Sequence, residues 1–513
     1  MSLEFAKVGS IEILDMSPPQ DVSHKSLESL TDQLSDFILS PLVRQITGGI
    51  HVNDALIHDA WGTLPPEWTT YWDALPDHRL AQRELIDSIA EDADQKNANN
   101  PSTTDINGLP VPPSSLTRWL RILKSVSLPR TRRQGEGFPS LSLPEQLTMS
   151  MKTKKSNEVS VAAAYIHQVA EANGITRIID MGSGQGYLSV TLAHLFPSLR
   201  ILAIDGSASQ VAGSKAFAAS VGIPEGKGGG GGDRLTHLVR YIDIDNGSAL
   251  QPLAAEMAAW ASGGGGGGGQ QKKCMLVGLH ACGRLSEHML RYFDMCPFIT
   301  HLGAVGCCYN HIIPRSRQCP DGFPISERLR RRGVALSATA LMTGCQAPNN
   351  WARSDLRRPQ QPPSSSTGGG GSAYSKKQFY RAVVEKLFHD KGIVIGGGGG
   401  AADEEERPNW GIRKGDLVSF DKFTRRAMHC LDVNPDRISA GDIREYEERY
   451  REYEGRIAIL WTLSVLCCKA VESVIALDRY WFLVEKGYAK VDIVPIFDYE
   501  ISPRNLMIVA EKI

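Results

Sequence analysis

Three short stretches concentrate the residues able to do chemistry: Asp180-Met-Gly-Ser-Gly-Gln-Gly-Tyr187, Gly278-Leu-His280-Ala-Cys282-Gly283 and Gly306-Cys-Cys-Tyr309-Asn310. The first is a glycine-rich turn between an apolar run and a helix-like segment. Such a turn lets backbone approach a ligand closely, and the helix N-terminus behind it offers unpaired N–H groups. The spacing is GxGxG (Gly182, Gly184, Gly186), not the dinucleotide GxGxxG, and Asp180 stands two residues before the first glycine. A carboxylate there repels a pyrophosphate and attracts an ammonium or sulfonium. S-adenosyl-L-methionine carries both cations and no phosphate. A triphosphate P-loop is excluded, because no GxxxxGK[ST] occurs. The next strand candidate, RILAID, ends in Asp205, where an acid can accept from ribose hydroxyls in either ligand class. A third, LVRYIDID, ends with Asp243 and Asp245. One of these could accept from an adenine amino group, and a solvated strand end explains them equally well. The expected cofactor-binding set from this reading is Asp180, Gly182, Ser183, Gly184, Gly186, Asp205 and Asp243.

Methyl transfer from a sulfonium is an in-line displacement that releases a neutral thioether. The protein's task is then to position the partners and, for hydroxyl or amine acceptors, to remove a proton. The second and third stretches follow the fourth and fifth strand candidates, so His280, Cys282, Cys307, Cys308 and Tyr309 can converge on one mouth. They would supply a general base, thiols and an aromatic wall. The expected catalytic set is His280, Cys282, Cys308 and Tyr309; for His280 a hydrogen-bonded structural role carries equal weight. A zinc site with His311 and Cys319 as further ligands is the competing idea. No CxxC pair exists and buried free cysteines are common small hydrophobes, so no metal is expected.

The elements that must hold these residues read as helices alternating with short apolar strands from about residue 154: RIIDM, RILAID, HLVRYIDI, KCMLVGLHA and ITHLGAVGCC. That alternation implies a parallel sheet covered on both faces. A long apolar helix, AILWTLSVLCCKAVESVIALDRYWFLVEKG, and two closing strands, KVDIVPIFD and NLMIVAEKI, complete it. The expected fold is α/β, a Rossmann-like seven-stranded mixed sheet with a terminal antiparallel pair, and Cys467-Cys468 in its helix as core. The organisation expected is a helical N-terminal region (1–110) whose tryptophans pack helices together, a linker and lead-in segment (111–150), the first part of the core (151–310), an irregular charged insertion (311–455), and the core's C-terminal helix and strand pair (456–513). SLPRTRR, Ser127 to Arg133, reads as a solvated basic loop. Glycine runs at 228–232, 263–269, 368–371 and 396–400 read as flexible loop insertions.

With 56 basic and 57 acidic residues among 513, the chain has no global attraction to nucleic acid or membrane. Any such partner must be met by local patches. Ten cysteines lack the dense framework of a small secreted protein, and no signal-like leader or apolar run of about 18–20 residues is present. An intracellular location, cytoplasmic or nuclear, without a membrane span is expected.

These residues resemble a eukaryotic family, that of methyltransferase-like protein twenty-five and its relative named ribosomal RNA adenine dimethylase domain-containing. The likeness rests on MKTKKSNEV (Met151 to Val159), the glycine turn, LHACG, VGCCY and SPRN near the C-terminus. It implies a class I methyltransferase fold with Lys155 and Glu158 closing over cofactor or substrate. One departure is Arg284, where the family carries an acid after LHACG. The adenine-N6 signature Asn/Asp-Pro-Pro-Tyr is replaced by LHACG, which argues against base dimethylation. The HxCG and paired-cysteine signatures are similar to those of tRNA ribose 2′-O-methyltransferases. RNA is therefore the first expected acceptor, with basic segments 328–332 and 352–358 as phosphate contacts. A protein acceptor, or a noncatalytic module of the same fold, is the alternative.

Overall fold

The structure, a computed structural model, describes residues 24–89, 110–131, 140–224, 233–242, 250–263, 272–347, 373–393 and 410–512. Asp243, Asp245, the basic segment 352–358 and the glycine runs, apart from Gly263, lie outside the described residues.

Five strands run parallel: β1 (Arg177–Met181), β2 (Arg200–Asp205), β3 (Leu235–Val239), β4 (Cys274–Ala281) and β5 (Ile299–Gly306). Two more, β6 (Lys490–Pro495) and β7 (Leu506–Glu511), close the sheet. The order is β3-β2-β1-β4-β5-β7-β6, with β7 antiparallel to both β5 and β6. This is the mixed seven-stranded α/β sheet of a Rossmann-like methyltransferase fold. The strand order reverses between β1 and β4, so their C-terminal ends open the crevice where ligands of such sheets bind.

Helices α1 (Thr153–Ala172), α2 (Tyr187–Leu195), α3 (Ala208–Ser220), α4 (Leu250–Ala261) and α5 (Leu285–Met295) flank the strands, and α6 (Cys468–Glu485) precedes β6. β1 is buried along its whole length, Arg177 and Asp180 included, because both faces of a parallel sheet are covered. β3 is shorter than LVRYIDID and ends at Val239. Its exposed end carries Val239 and Tyr241 instead of a fully buried run.

The chain divides into two compact units. One comprises 1–35, 128–335 and 472–513 and contains the sheet; the other comprises 36–127 and 336–471 and is helical. The sequence boundaries at 110, 150, 310 and 455 differ from these limits, in which the sheet unit takes in 1–35 and 128–150 and extends to 335. The segment 311–455, which the sequence presents as irregular, carries helices Ala373–Asp390, Phe420–Cys430 and Ala440–Tyr450. Their apolar faces (Phe379, Tyr380, Val383, Leu387, Phe388, Phe420, Phe423) form one buried cluster. Dense charge on the opposite faces masks that spacing in the sequence. The lead-in segment likewise holds a helix, Ser114–Ser125.

Trp61, Trp68, Trp72 and Trp119 are buried, with neighbouring ring centroids 5.6–5.9 Å apart. The apolar C-terminal helix is two helices, Glu454–Leu466 and α6, that meet at Cys467; Cys467 and Cys468 are both buried. The stretch Ala440–Glu485 contains a window long and apolar enough to cross a membrane, which corrects the expectation that no such run is present; 78% of that window is buried in the protein.

Candidate functional site

The turn between β1 and α2 holds Gly182, Gly184 and Gly186 at φ of 78°, 54° and 74°. A Cβ on Gly186 would lie 1.9 Å from Ser214 Oγ, so α2 can start against α3 only without a side chain there. Gly184 faces open space, its nearest neighbour being Gln210 Oε1 at 4.0 Å.

Four amides of this turn point into the protein. Gly182 and Ser183 donate to the Ile204 carbonyl (2.8 and 3.0 Å), Gly186 to Ser183 (2.9 Å), and Gly184 to Asp205 Oδ2 (2.9 Å). A phosphate cradle needs such amides aimed at the ligand. This turn has instead spent them on β2, on its own Ser183 carbonyl and on an acid.

The Asp205 carboxylate also accepts from Ser207 N at 2.8 Å, so each oxygen keeps a lone pair for a further donor. Asp180 is buried and accepts from Ser189 Oγ at 2.5 Å. Burial raises its carboxyl to about 6, against the lowering hydrogen bond from Ser189 and with a smaller raising contribution from the charge of Asp205. Ser183 Oγ is buried without a hydrogen-bond partner among the described residues. An orphaned hydroxyl, an open face at Gly184 and two carboxylates that face no cation among the described residues suit a ligand that is polar and positively charged. The residues present therefore fit S-adenosyl-L-methionine better than a pyrophosphate.

Across the crevice, His280 Nε2 lies 2.9 Å from Glu158 Oε2. Glu158 is buried on α1, accepts from Ser502 Oγ at 2.6 Å, and has Lys155 Nζ at 3.4 Å and Lys154 Nζ at 3.7 Å. Burial alone would raise the Glu158 carboxyl. The hydrogen bond and charge of His280, with Ser502 and Lys155, outweigh it and bring the group down to about 2. His280 is at φ 70°, where the β4–β5 register shifts between Leu279 and Ala281. A non-glycine residue in that region is uncommon, and here the irregularity in β4 aims the imidazole toward α1.

Cys282, Cys307 and Cys308 converge: their Sγ atoms are 3.1, 3.3 and 3.5 Å apart pairwise. The hydrogen bond from Cys307 lowers the Cys282 thiol to about 6, against burial, which raises it, with help from Cys308 and nearby His280 and His311. Cys307 is raised by the same contact.

Tyr309 corrects the expectation of an aromatic wall. It is buried, and its hydroxyl donates to Glu472 Oε1 at 2.8 Å. Burial and the Glu472 charge hold the phenol well above its usual range, so it serves the interior and is no candidate base. The reason lies in Glu472, which nothing in the sequence singles out. Glu472 Oε2 accepts from Arg130 Nη1 at 2.6 Å and Arg504 Nη1 at 3.0 Å, which makes a buried acid that needs the tyrosine's proton. Arg130 belongs to the SLPRTRR segment expected as a solvated loop, yet it is only 1% exposed. The SPRN motif supplies the available signal: Ser502 holds Glu158, Arg504 holds Glu472, and Asn505 donates to the Arg130 and Phe497 carbonyls.

Arg284, at the N-cap of α5, is turned toward Glu287 at 3.9 Å. Tyr241 has no signal in the sequence. It is 80% exposed and packs beside Gly206, next to Asp205, where a Cβ would lie 2.8 Å from its ring. The basic run 328–332 is not a free patch: Arg328 pairs with Glu28 and Asp32, Arg332 with Asp32, and Arg331 with Glu327.

Sheet order and site thus define a Rossmann-like methyltransferase fold with its crevice at the ends of β1, β2, β4 and β5. Residues 154–315 match the family model described as a methyltransferase domain. The probable methyltransferase-like protein 25 of Mus musculus is 26% identical over 258 residues, 47% of this chain and 37% of that protein. That of Homo sapiens is 26% identical over 257 residues, with the same shares. The chain therefore spans well under half the length of these curated relatives. Neither carries the adenine dimethylase name included in the sequence resemblance.

Proposed function

We propose that the chain is an S-adenosyl-L-methionine-dependent methyltransferase acting on RNA. The observation that carries the cofactor reading is the inward-turned set of amides at Gly182, Ser183, Gly184 and Gly186, capped by Asp205. Such a turn offers these amides to no phosphate, and it leaves Asp180 for a cation and Asp205 for hydroxyl donors. Asp205 would accept from the ribose hydroxyls, Tyr241 would flank the adenine, Ser183 and Gly184 would meet the amino-acid part, and Asp180 would stabilise its positive charge from beneath. The cofactor supplies an electrophilic methyl group on a sulfonium.

The acceptor reading rests on His280 and Glu158. An imidazole hydrogen-bonded to a buried carboxylate is the arrangement of a base and its orienting group. It suits an acceptor that must lose a proton, such as a ribose hydroxyl or an amine, and LHACG with GCCY is similar to ribose 2′-O-methyltransferases. Lys155, 3.4 Å from Glu158, adds to His280 and Ser502 in keeping that carboxyl ionised. The internal pairing of Arg328 and Arg332 favours a protein acceptor as the second reading, because it removes one expected set of phosphate contacts.

Isothermal titration with S-adenosyl-L-methionine tests the cofactor first. Binding by the wild type and its loss in Asp205→Ala is the expected result; no wild-type binding leaves only the noncatalytic module. Transfer of a labelled methyl group to separated RNA and protein fractions then decides the acceptor, with labelling that falls in His280→Ala. Label confined to protein would replace the RNA reading.

A further inference from the structure

We propose that Cys282, Cys307 and Cys308 form a three-thiolate site for a zinc ion. The sequence alone argues against a metal, since it offers no CxxC pair. The sheet supplies what local spacing does not. β4 and β5 are adjacent parallel strands, so Cys282 and the Cys307-Cys308 pair leave the sheet side by side at the same edge.

All three ligand atoms lie within 4.8 Å of one another. Their pairwise separations of 3.1–3.5 Å are too long for a disulfide, which needs about 2.05 Å. They are a little shorter than the roughly 3.8 Å that tetrahedral zinc with Zn–S of about 2.3 Å requires. Closing on an ion then takes sulfur movements of well under about 1 Å.

The turns that carry the thiols are tied together. Gly283 N and His311 N both donate to the Cys308 carbonyl at 3.1 Å. Gly283, at φ 53°, packs so closely on His311 that a Cβ there would sit 2.6 Å from the His311 Cβ. The thiols are therefore held on a fixed frame at the end of the sheet. Cys282 is exposed while Cys307 and Cys308 are partly covered, which gives an ion a path in from solvent.

Binding is ligand exchange without redox change: the protons still on the three sulfurs pass to buffer, five of the six waters of aqueous zinc leave, three zinc–sulfur bonds form and one water stays. Three protein ligands leave a fourth position for water or another donor, the arrangement of zinc sites that do chemistry. The site stands apart from the cofactor reading, since every readout below concerns the metal alone.

The full chain, stripped with chelator under reducing conditions, is titrated with zinc against a chromophoric chelator and separately with cobalt. One zinc per chain, proton release, and a thiolate-to-cobalt charge-transfer band with tetrahedral visible bands are expected. Cys282→Ser, Cys307→Ser and Cys308→Ser should each weaken zinc roughly tenfold or more, while Cys319→Ser does not. Each single variant keeps two of the three thiols, and circular dichroism checks its fold. The proposal is overturned if the folded wild type binds no zinc, if all three single variants bind as tightly as wild type, or if mass spectrometry finds a Cys282–Cys307 disulfide in the chain as isolated.

Discussion

His280 Nε2 and Glu158 Oε2 meet at 2.9 Å and so join the end of β4 to the first turns of α1. The pair spans 122 residues of sequence, and it fixes an imidazole that would otherwise sit on an irregular strand end. Glu158 is held from the other side by Ser502, which brings the segment before β7 into the same contact. One carboxylate thus organises three parts of the fold around the crevice.

Glu158 also makes stability depend on pH in a definite direction. Its carboxyl is brought from 4.5 down to about 2 in the folded chain, so its contribution is complete above about pH 4.5 and is lost as pH falls toward 2. Between neutral pH and pH 2 the wild type should lose about 3 kcal/mol more than Glu158→Gln, an upper figure from a shift of this size. Urea unfolding at a series of pH values measures it. Parallel pH curves for the two proteins would show that Glu158 is not the responsible group.

The glycines of the turn should separate by what stands over them. Gly186→Ala puts a methyl group 1.9 Å from Ser214 Oγ at a positive φ, and should destabilise by about 2–4 kcal/mol from strain and overpacking together. Gly184→Ala meets only open space, so its cost is the roughly 1 kcal/mol of the left-handed backbone. The expected result is a well-folded Gly184→Ala with weakened S-adenosyl-L-methionine binding and a Gly186→Ala whose melting temperature has dropped. Equal melting temperatures would contradict the close packing of α2 on α3.

Much of this site is legible in the sequence because the signals are local. The strand, the GxGxG turn and the helix are contiguous, so Asp180 to Gly186 can be placed on a crevice from spacing alone. Asp205 follows because β2 is the next strand. The buried network of Arg130, Glu472, Arg504 and Tyr309 is not legible as a network, since its members come from four separated segments and its arginines and glutamate resemble surface residues by type. Burial of such charges is tolerable only when partners arrive through the tertiary fold, and no sequence window contains them. The convergence of Cys282, Cys307 and Cys308 is legible, because they follow the fourth and fifth strands; a metal-ligand role is not, since strand adjacency and not CxxC spacing brings Cys282 to Cys307.

Tyr309 provides the contrast between interior and site. Its hydroxyl satisfies Glu472, so Tyr309→Phe leaves one oxygen of a buried acid short of a donor. A loss of about 1–3 kcal/mol is expected in thermal or denaturant unfolding. Affinity for S-adenosyl-L-methionine should hold, because the hydroxyl faces the interior. A variant with unchanged stability and abolished methyl transfer would return Tyr309 to the chemistry.

Asp180 should couple cofactor binding to protons. Its carboxyl is raised from 3.8 to about 6 by burial, so the folded chain holds a proton that the unfolded chain releases between those values. By the sign of that shift, this acid makes the fold less stable as pH rises from about 4 to 6, and Asp180→Asn should flatten the decline. A sulfonium and an ammonium bound above it favour the ionised form, so binding below pH 6 must expel the proton. Affinity for S-adenosyl-L-methionine should therefore weaken as pH falls below about 6, by up to about tenfold per unit, and level off above it. Calorimetry in two buffers of different ionisation enthalpy reads the released proton directly. The same release from Asp180→Asn would assign it to another group, whereas its disappearance identifies the acid at the head of the glycine turn as the one that meets the cation.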